Sequence, residues 1–275
     1  MGPRLRDLVG KQGIAKFTAD DFKLVTNRVA TDPGRLILVG GQAIEVWAVL
    51  FDVPSPLGKG IALTEDTDWL GGKRDAQWLC SLLEGSAKVD LQFSTDFESP
   101  VSSAIAFIQR DDRILLMDFL RAIVGPSIEE VKRLAVQVDL DGGAIKVLHP
   151  LLCLHSRLAN IREIAAKRNE NGLAQARWMI DIFRAYLLKM IGTLDSIQLA
   201  KNCREVAKLA EFQPGRFCYE HFQIDPLLAI DNAVVEHVGG KFLELEWPNL
   251  TRRIRDKQAG WLEFKKRTQV HIPGS

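Results

Sequence analysis

Leu36-Ile37-Leu38-Val39-Gly40-Gly41-Gln42-Ala43 is the stretch of sequence from which the fold follows. Its four leading apolar residues predict a buried strand, and the two glycines predict a tight turn. Beyond the turn, apolar residues recur at helical spacing, namely Ala43, Val46, Trp47, Leu50 and Phe51. The stretch therefore predicts a strand, a glycine turn and a helix N-terminus, where backbone N–H groups and the helix dipole favour a bound anion.

A second strand is predicted in Leu63-Thr64-Glu65-Asp66-Thr67-Asp68-Trp69. Residues i and i+2 of a strand point to the same side, so Asp66 and Asp68 face one way and Thr67 the other. Two adjacent carboxylates repel each other and raise a pKa unless a cation lies between them. Mg²⁺, which binds one or two carboxylates together with substrate phosphates, would remove this repulsion. Phosphoryl or nucleotidyl transfer requires such a metal site beside a phosphate-binding turn.

A third acid, Asp118, lies inside the apolar run from Arg113 to Leu120. A lone Asp in a buried strand costs several kcal/mol unless it is paired or bound to a metal. Asp118 is therefore expected at the sheet rim, in a hydrogen bond, or as a metal ligand, and the first two acids favour the ligand. Asp90 is the competing candidate, although the alternation around it is typical of a half-solvated strand.

Together these motifs resemble the signature of the DNA polymerase β-like nucleotidyltransferase superfamily: a strand, two glycines, a helix, Asp-x-Asp on the next strand and a third acid later. The chain also resembles the type IV abortive-infection toxin (AbiEii-like) nucleotidyltransferases. In that group an N-terminal α/β domain, the head, is followed by Pro-x-x-Leu-x-x-x-Lys-Leu and then by a helix that carries an acid. Residues 150–158 have this outline with Arg157 in place of the Lys, and Asp181 stands where the helix acid is expected.

The resemblance implies metal-dependent transfer of a nucleoside monophosphate from an NTP to an RNA, a protein or a small molecule. It implies Mg²⁺ or Mn²⁺ as cofactor, and a toxin role with an antitoxin or operon partner. The implied catalytic and metal-binding residues are Asp66, Asp68 and Asp118, and the implied nucleotide-binding residues are Gly40, Gly41, Gln42 and Arg157. Because Arg cannot act as a general base, one alternative is a nucleotidyltransferase fold that binds nucleotide or a partner without catalysis. Another is a different α/β enzyme in which the three acids are accidental.

The hydrophobic pattern changes from period two to period 3.6 near His149-Pro150, which predicts two domains. Residues 1–148 are expected to form an α/β (α+β) head with an N-terminal helix and a mixed sheet, and residues 149–275 a helical domain. Strands are predicted at 87–93, 101–108 and 113–119, with a hairpin over 134–148 at the sheet edge. Residues 98–103 fit either a loop or a strand. Helices are predicted at 150–168, 172–191, 195–211, 225–238 and 248–267.

Composition limits the class of protein more than its activity. The 275 residues are 47% hydrophobic with a net charge of +1, which favours a packed core and neither favours nor excludes a nucleic-acid partner. The four cysteines show no pairing pattern, and no apolar stretch reaches the ~20 residues of a membrane span. A cytoplasmic protein without a membrane partner is expected. The basic residues of 252–257 and 265–267 predict either a solvated helix face or an RNA-phosphate surface.

Overall fold

The computed structural model of the protein describes residues 14–56, 66–94 and 101–269, with side chains described through residue 265. The chain divides into two compact units. Residues 1–46 and 57–153 form the first, here called the α/β unit, and residues 47–56 and 154–275 form the second, here called the helical unit. The division after residue 153 falls close to the change in hydrophobic period, but nothing in the sequence predicts that residues 47–56 belong with the helices.

The strands of the α/β unit form one mixed sheet. They are β1 (Ile37–Val39), β2 (Asp66–Leu70), β3 (Lys88–Phe93), β4 (Ser102–Arg110), β5 (Arg113–Leu120), β6 (Val136–Leu140) and β7 (Gly143–Val147). Their order in the described sheet is β3-β4-β5-β2-β1-β7-β6. β2 runs antiparallel to β1 and parallel to β5, and β1 runs parallel to β7. The predicted α/β class with a mixed sheet is confirmed.

The strands follow the hydrophobic pattern of the sequence. β4 and β5 lie inside the sheet and are mostly buried, as their near-continuous apolar runs predict. β6 and β7 form a hairpin across Asp141-Gly142, and β6 is an edge strand, as predicted. Residues 98–103 fitted either a loop or a strand. Ser102 and Ser103 belong to β4, whereas residues 95–100 lie outside the described residues.

Four helices belong wholly or largely to the α/β unit. They are α1 (Ala19–Val29), α2 (Gly40–Leu50), α3 (Lys73–Leu83) and α4 (Ile128–Leu134), and α5 (Pro150–Glu163) begins there. Thr18 caps α1: its side chain accepts from the backbone N–H of Asp21, and the Asp21 side chain accepts from the backbone N–H of Thr18 in return. α2 begins at Gly40, directly after β1, and its last turn passes into the helical unit at Trp47.

A buried carboxylate fastens α1 to the hairpin of β4 and β5. Asp21 is fully buried and accepts two hydrogen bonds from Arg113, at 2.7 and 3.0 Å, and one from Arg110 at 2.9 Å. Burial alone would raise the pKa of the Asp21 carboxyl, but the hydrogen bonds from Arg113 and Thr18 outweigh it and lower that pKa to about 2. The carboxylate therefore stays ionised in the core and holds two elements together.

The helical unit continues α5 and adds five further helices within the described residues. They are α6 (Glu170–Lys189), α7 (Ser196–Glu211), α8 (Gly215–Phe222), α9 (Asn232–Val238) and α10 (Trp247–Gln269). Most of the predicted helices are confirmed. The first, however, ends at Glu163 and is followed by a 3-10 segment at Ala165–Lys167, and Pro226–Ala229 is a second 3-10 segment. α8 is a helix that the sequence did not predict, because Pro214-Gly215 reads as a break. Pro214 instead occupies the N-cap, where its missing N–H costs no helical hydrogen bond.

Residues 47–56 join the helical unit through aromatic side chains. Phe51 stacks on Trp47, with ring centroids 5.6 Å apart, and meets the edge of Tyr186 on α6 at 5.7 Å. Phe183 packs against the same tyrosine. This contact explains why a segment between two strands of the α/β unit belongs to the other unit.

None of the helices in residues 14–56, 66–94 and 101–269 combines the length and apolar character needed to cross a bilayer.

Candidate active site

Gly40 brings the two sequence motifs into contact. It has a φ of +70°, a backbone conformation that costs glycine little. A Cβ at this position would lie 1.8 Å from Oδ2 of Asp68, so the absent side chain makes room for the carboxylate. The beginning of α2 and the Asp-x-Asp strand are therefore in direct contact, and only glycine allows it.

The acids of β2 share one face of the sheet. Asp66 and Asp68 are half-exposed, whereas Thr67 between them is fully buried on the other side. Asp68 lies opposite Val39 of β1 on one flank and opposite Asp118 of β5 on the other. Paired residues on adjacent strands project from the same side of a sheet. Asp68 and Asp118 are thus direct neighbours, and Asp66 lies on the same face two residues along β2.

A serine that the sequence analysis missed holds Asp118. The hydroxyl of Ser102 donates a hydrogen bond to Oδ1 of Asp118 at 2.8 Å. Ser102 begins β4, next to an irregularity in the pairing of β4 with β5 between Ser102 and Ala104. The sequence shows two serines before an apolar run, but no local signal says that one of them reaches an acid sixteen residues away.

Asp90, the competing third acid, is separated from this group. It lies on β3, which is an edge strand, and β4 stands between it and β5. It is exposed and accepts a hydrogen bond from the side chain of Gln92 at 3.0 Å. The sheet order thus places Asp118, and not Asp90, beside the Asp-x-Asp strand.

The donor chemistry of the site suits a hard cation. Mg²⁺ is commonly bound by one or two carboxylates, with phosphates and waters completing its shell. Asp68 and Asp118 provide two carboxylates in register, so they fit this requirement. Over residues 14–56, 66–94 and 101–269, however, no group of three or more His, Cys, Asp or Glu side chains is arranged to hold a metal ion. The metal-binding role of Asp66, on the same face as the other two acids, stays a prediction.

The other predicted nucleotide-binding residues lie in two places. Gly41 and Gln42 occupy the first turn of α2, and both are buried. The Oε1 atom of Gln42 accepts no hydrogen bond from the part of the chain that the structure describes. Arg157 lies on α5 in the helical unit, where its guanidinium donates to Oε1 of Gln175 at 2.7 Å. The nucleotide-binding role of Arg157 stays a prediction.

Asp181, the predicted helix acid, lies on α6. It is largely exposed and forms an ion pair with Arg184 of the same helix at 3.2 Å. Within the described residues it therefore takes part in a surface ion pair, and its functional role stays a prediction.

The basic residues of α10 are engaged within the helical unit. Arg253 and Lys257 both bind the buried Glu211 of α7, at 2.7 and 2.5 Å. Arg255 binds the buried Asp225. These side chains neutralise acids in the unit, so three members of the predicted basic cluster have a structural role.

Comparisons with known proteins identify weak structural relatives. No protein-family profile matches the sequence, and no curated protein matches it. The crystal structure of JHP933 from Helicobacter pylori is similar over 90% of this chain and 93% of that one, at 12% identity and a TM-score of 0.38. The polyadenylate synthase of Megavirus is similar over 67% of this chain and 40% of that one, at 12% identity and a TM-score of 0.36.

Proposed function

We propose that the protein is a metal-dependent nucleotidyltransferase that moves a nucleoside monophosphate from an NTP to an acceptor hydroxyl. The contact between Gly40 and the Asp68 carboxylate, with Asp118 in register on the next strand, carries this proposal. In this contact a helix N-terminus lies against a pair of carboxylates. The N-terminus favours binding of phosphate, and the carboxylate pair favours binding of a divalent cation. Neither feature alone would be specific to this chemistry.

Each residue of the site has a defined task in this proposal. The backbone N–H groups at the start of α2, from Gly40 and Gly41 onward, bind the phosphates of the NTP. Asp68 and Asp118, with Asp66 on the same face, would hold Mg²⁺ or Mn²⁺. A bound cation supplies charge neutralisation at the phosphates. Ser102 is a positioning residue, because its hydrogen bond fixes the orientation of the Asp118 carboxylate.

The reaction exchanges one phosphorus–oxygen bond for another. The acceptor oxygen forms a bond to the α-phosphorus, the bond from that phosphorus to the bridging oxygen breaks, and pyrophosphate leaves with the electron pair. The acceptor proton passes to solvent. The nucleotide-binding role of Arg157 rests on the family resemblance alone, and a guanidinium can neutralise phosphate charge without losing a proton.

Transfer of label from α-labelled NTPs tests the proposal, with Mg²⁺ or Mn²⁺ and a mixture of RNA and cell protein as acceptors. We expect transfer by the wild-type protein and a loss of at least about 100-fold in Asp68→Asn, which keeps the shape of the side chain but not its charge. Asp90→Asn is the matched control, since it removes one exposed acid from the same sheet, and it should retain activity. Equal activity in Asp68→Asn and wild type would refute the carboxylate assignment.

A toxin role is the finer part of the proposal and rests on the resemblance to the AbiEii-like group alone. Expression of the wild-type protein should arrest growth, whereas Asp68→Asn at equal abundance should not. Arrest by both proteins would instead favour a module that binds nucleotide or a partner without catalysis.

A further inference from the structure

A cavity of about 450 Å³ lies in the α/β unit beside the acids, on the same sheet. Its apolar lining includes Ile37 of β1, Leu70 of β2 and Leu120 of β5. These three residues are paired across the strands, Ile37 with Leu70 and Leu70 with Leu120. They therefore form one continuous row across three neighbouring strands.

The row lies on the face that carries the acids. Leu70 follows Asp68 by two residues and Leu120 follows Asp118 by two, so each pair projects from the same side of its strand. Two residues of a strand span about 7 Å. The cavity thus begins one side-chain row beyond the acids, at a distance that a single sugar–phosphate unit covers.

The polar lining of the cavity is cationic. It contains Arg35, Arg121, Lys132 and Lys146, with Asp75 as its one acid among the described lining residues. Arg35 neutralises Asp75 through an ion pair at 2.8 Å. Among the described lining residues, Arg121, Lys132 and Lys146 then remain without a matching acid.

Two of these cations have no partner within the described ranges. Neither Lys132, exposed on α4, nor Lys146, half-buried on β7, forms a hydrogen bond or an ion pair there. Lys146 lies opposite Ile37, at the end of the apolar row. Within the part of the chain that the structure describes, Arg121 donates to Ser94 and to the backbone of Ser102, and these neutral partners do not neutralise its charge.

We propose that this cavity binds a phosphate group of the acceptor, and that the acceptor is a nucleotide or the 3′ end of an RNA. The proposal rests on the proposed function, because the acids define where the acceptor hydroxyl reacts. A phosphate one sugar away from that hydroxyl would meet Lys132, Lys146 and Arg121. The apolar row would lie beneath the sugar. A protein hydroxyl offers no phosphate at this position, so the cavity discriminates against it.

Binding of a 5′-fluorescent oligoadenylate, measured by anisotropy at several salt concentrations without NTP or metal, tests the phosphate site separately from catalysis. We expect Lys132→Gln and Lys146→Gln each to weaken binding about tenfold. Each should also lower the slope of log affinity against log salt by about 0.7, the value for one phosphate contact on a single strand. Lys146→Arg should bind as wild type does, since it keeps the charge.

Lys88→Gln is the matched control, because Lys88 is an exposed lysine on β3, at the far edge of the sheet. Competition with free AMP distinguishes the two sources of phosphate: displacement of the probe indicates a nucleotide acceptor, and no displacement indicates an RNA end. Wild-type affinity and slope in both lysine-to-glutamine variants would overturn the proposal. So would label transfer to protein at an unchanged rate in those variants. Lysine-dependent binding together with full transfer by Asp68→Asn would keep the phosphate site and reject the proposed function.

Discussion

A single methyl group added at Gly40 would disturb the candidate site. Gly40→Ala would have to hold a Cβ at a φ of +70° and 1.8 Å from a carboxylate oxygen. We expect the strained backbone to lower the free energy of unfolding by about 1–3 kcal/mol. We also expect the displaced Asp68 to abolish transfer, measured with α-labelled NTP.

Gly85→Ala provides the matched control for this substitution. Gly85 lies in the same unit, and a Cβ there would meet nothing within 4 Å. It should leave both stability and transfer close to wild type. Retention of full activity by Gly40→Ala would show that the contact between glycine and carboxylate has no catalytic importance.

Ser102 tests whether the orientation of Asp118 matters, separately from its charge. Ser102→Ala removes the 2.8 Å hydrogen bond but keeps the carboxylate. We expect activity to fall about 10–100-fold, as for other residues that orient a metal ligand. The metal dependence should shift to higher Mg²⁺ concentration, whereas a purely structural serine would lower the amount of folded protein and leave that dependence unchanged.

For single residues, the sequence predicts which side chains belong to the candidate site better than it predicts which of them touch. Gly40, Asp66, Asp68 and Asp118 were all chosen from the order of glycines and acids in apolar runs. That Asp68 meets Asp118, with Asp66 two residues away, depends on which strands pair, and pairing is a long-range property. Ser102 was missed for the same reason, since its partner lies on another strand.

At the scale of elements, local pattern predicted most helices and strands because the apolar period is set by the geometry of each element. The strand order was not predictable, because β2 lies between β1 and β5 although β3 and β4 precede β5 in the chain. α8 was missed because proline and glycine break a helix in its interior but are tolerated at its start.

The buried Asp21 carboxylate, which binds Arg110 and Arg113, predicts how the stability of the protein depends on pH. The pKa of Asp21 in the folded protein, about 2, lies below its ordinary value of 3.8. The ionised Asp21 carboxylate therefore stabilises the folded protein fully above about pH 4, and this stabilisation is lost as the pH falls towards 2. Asp21→Asn should lower the free energy of unfolding by about 2 kcal/mol at pH 6, and this deficit should shrink between pH 4 and pH 2.

Urea unfolding at a series of pH values measures this effect. Asp20→Asn is the control, since Asp20 is the exposed neighbour of Asp21 in the first turn of α1. Asp20→Asn should change the free energy of unfolding only slightly at every pH. A deficit for Asp21→Asn that is the same at pH 6 and pH 3 would contradict an ionised anchor.

At the scale of the whole molecule, the helical unit includes a segment from far upstream in the sequence, and Phe51 is its link to α6. Phe51→Ala should lower the free energy of unfolding by about 2 kcal/mol, less than a fully buried phenylalanine would. It should also reduce hydrogen-exchange protection in α6. Val49→Ala is the control, because Val49 lies in the same segment and is 81% exposed. Unchanged protection of α6 in Phe51→Ala would contradict the link.

The contact between Phe51 and Tyr186 also affects how the protein folds while it is being synthesised. Tyr186 leaves the ribosome roughly 130 residues after Phe51, a delay of roughly ten seconds at ordinary translation rates. During that interval the aromatic rings of residues 47–56 lack the helix against which they pack. The nascent chain thus presents a short apolar segment of the kind that chaperones bind, and the helical unit can close only after α6 has emerged.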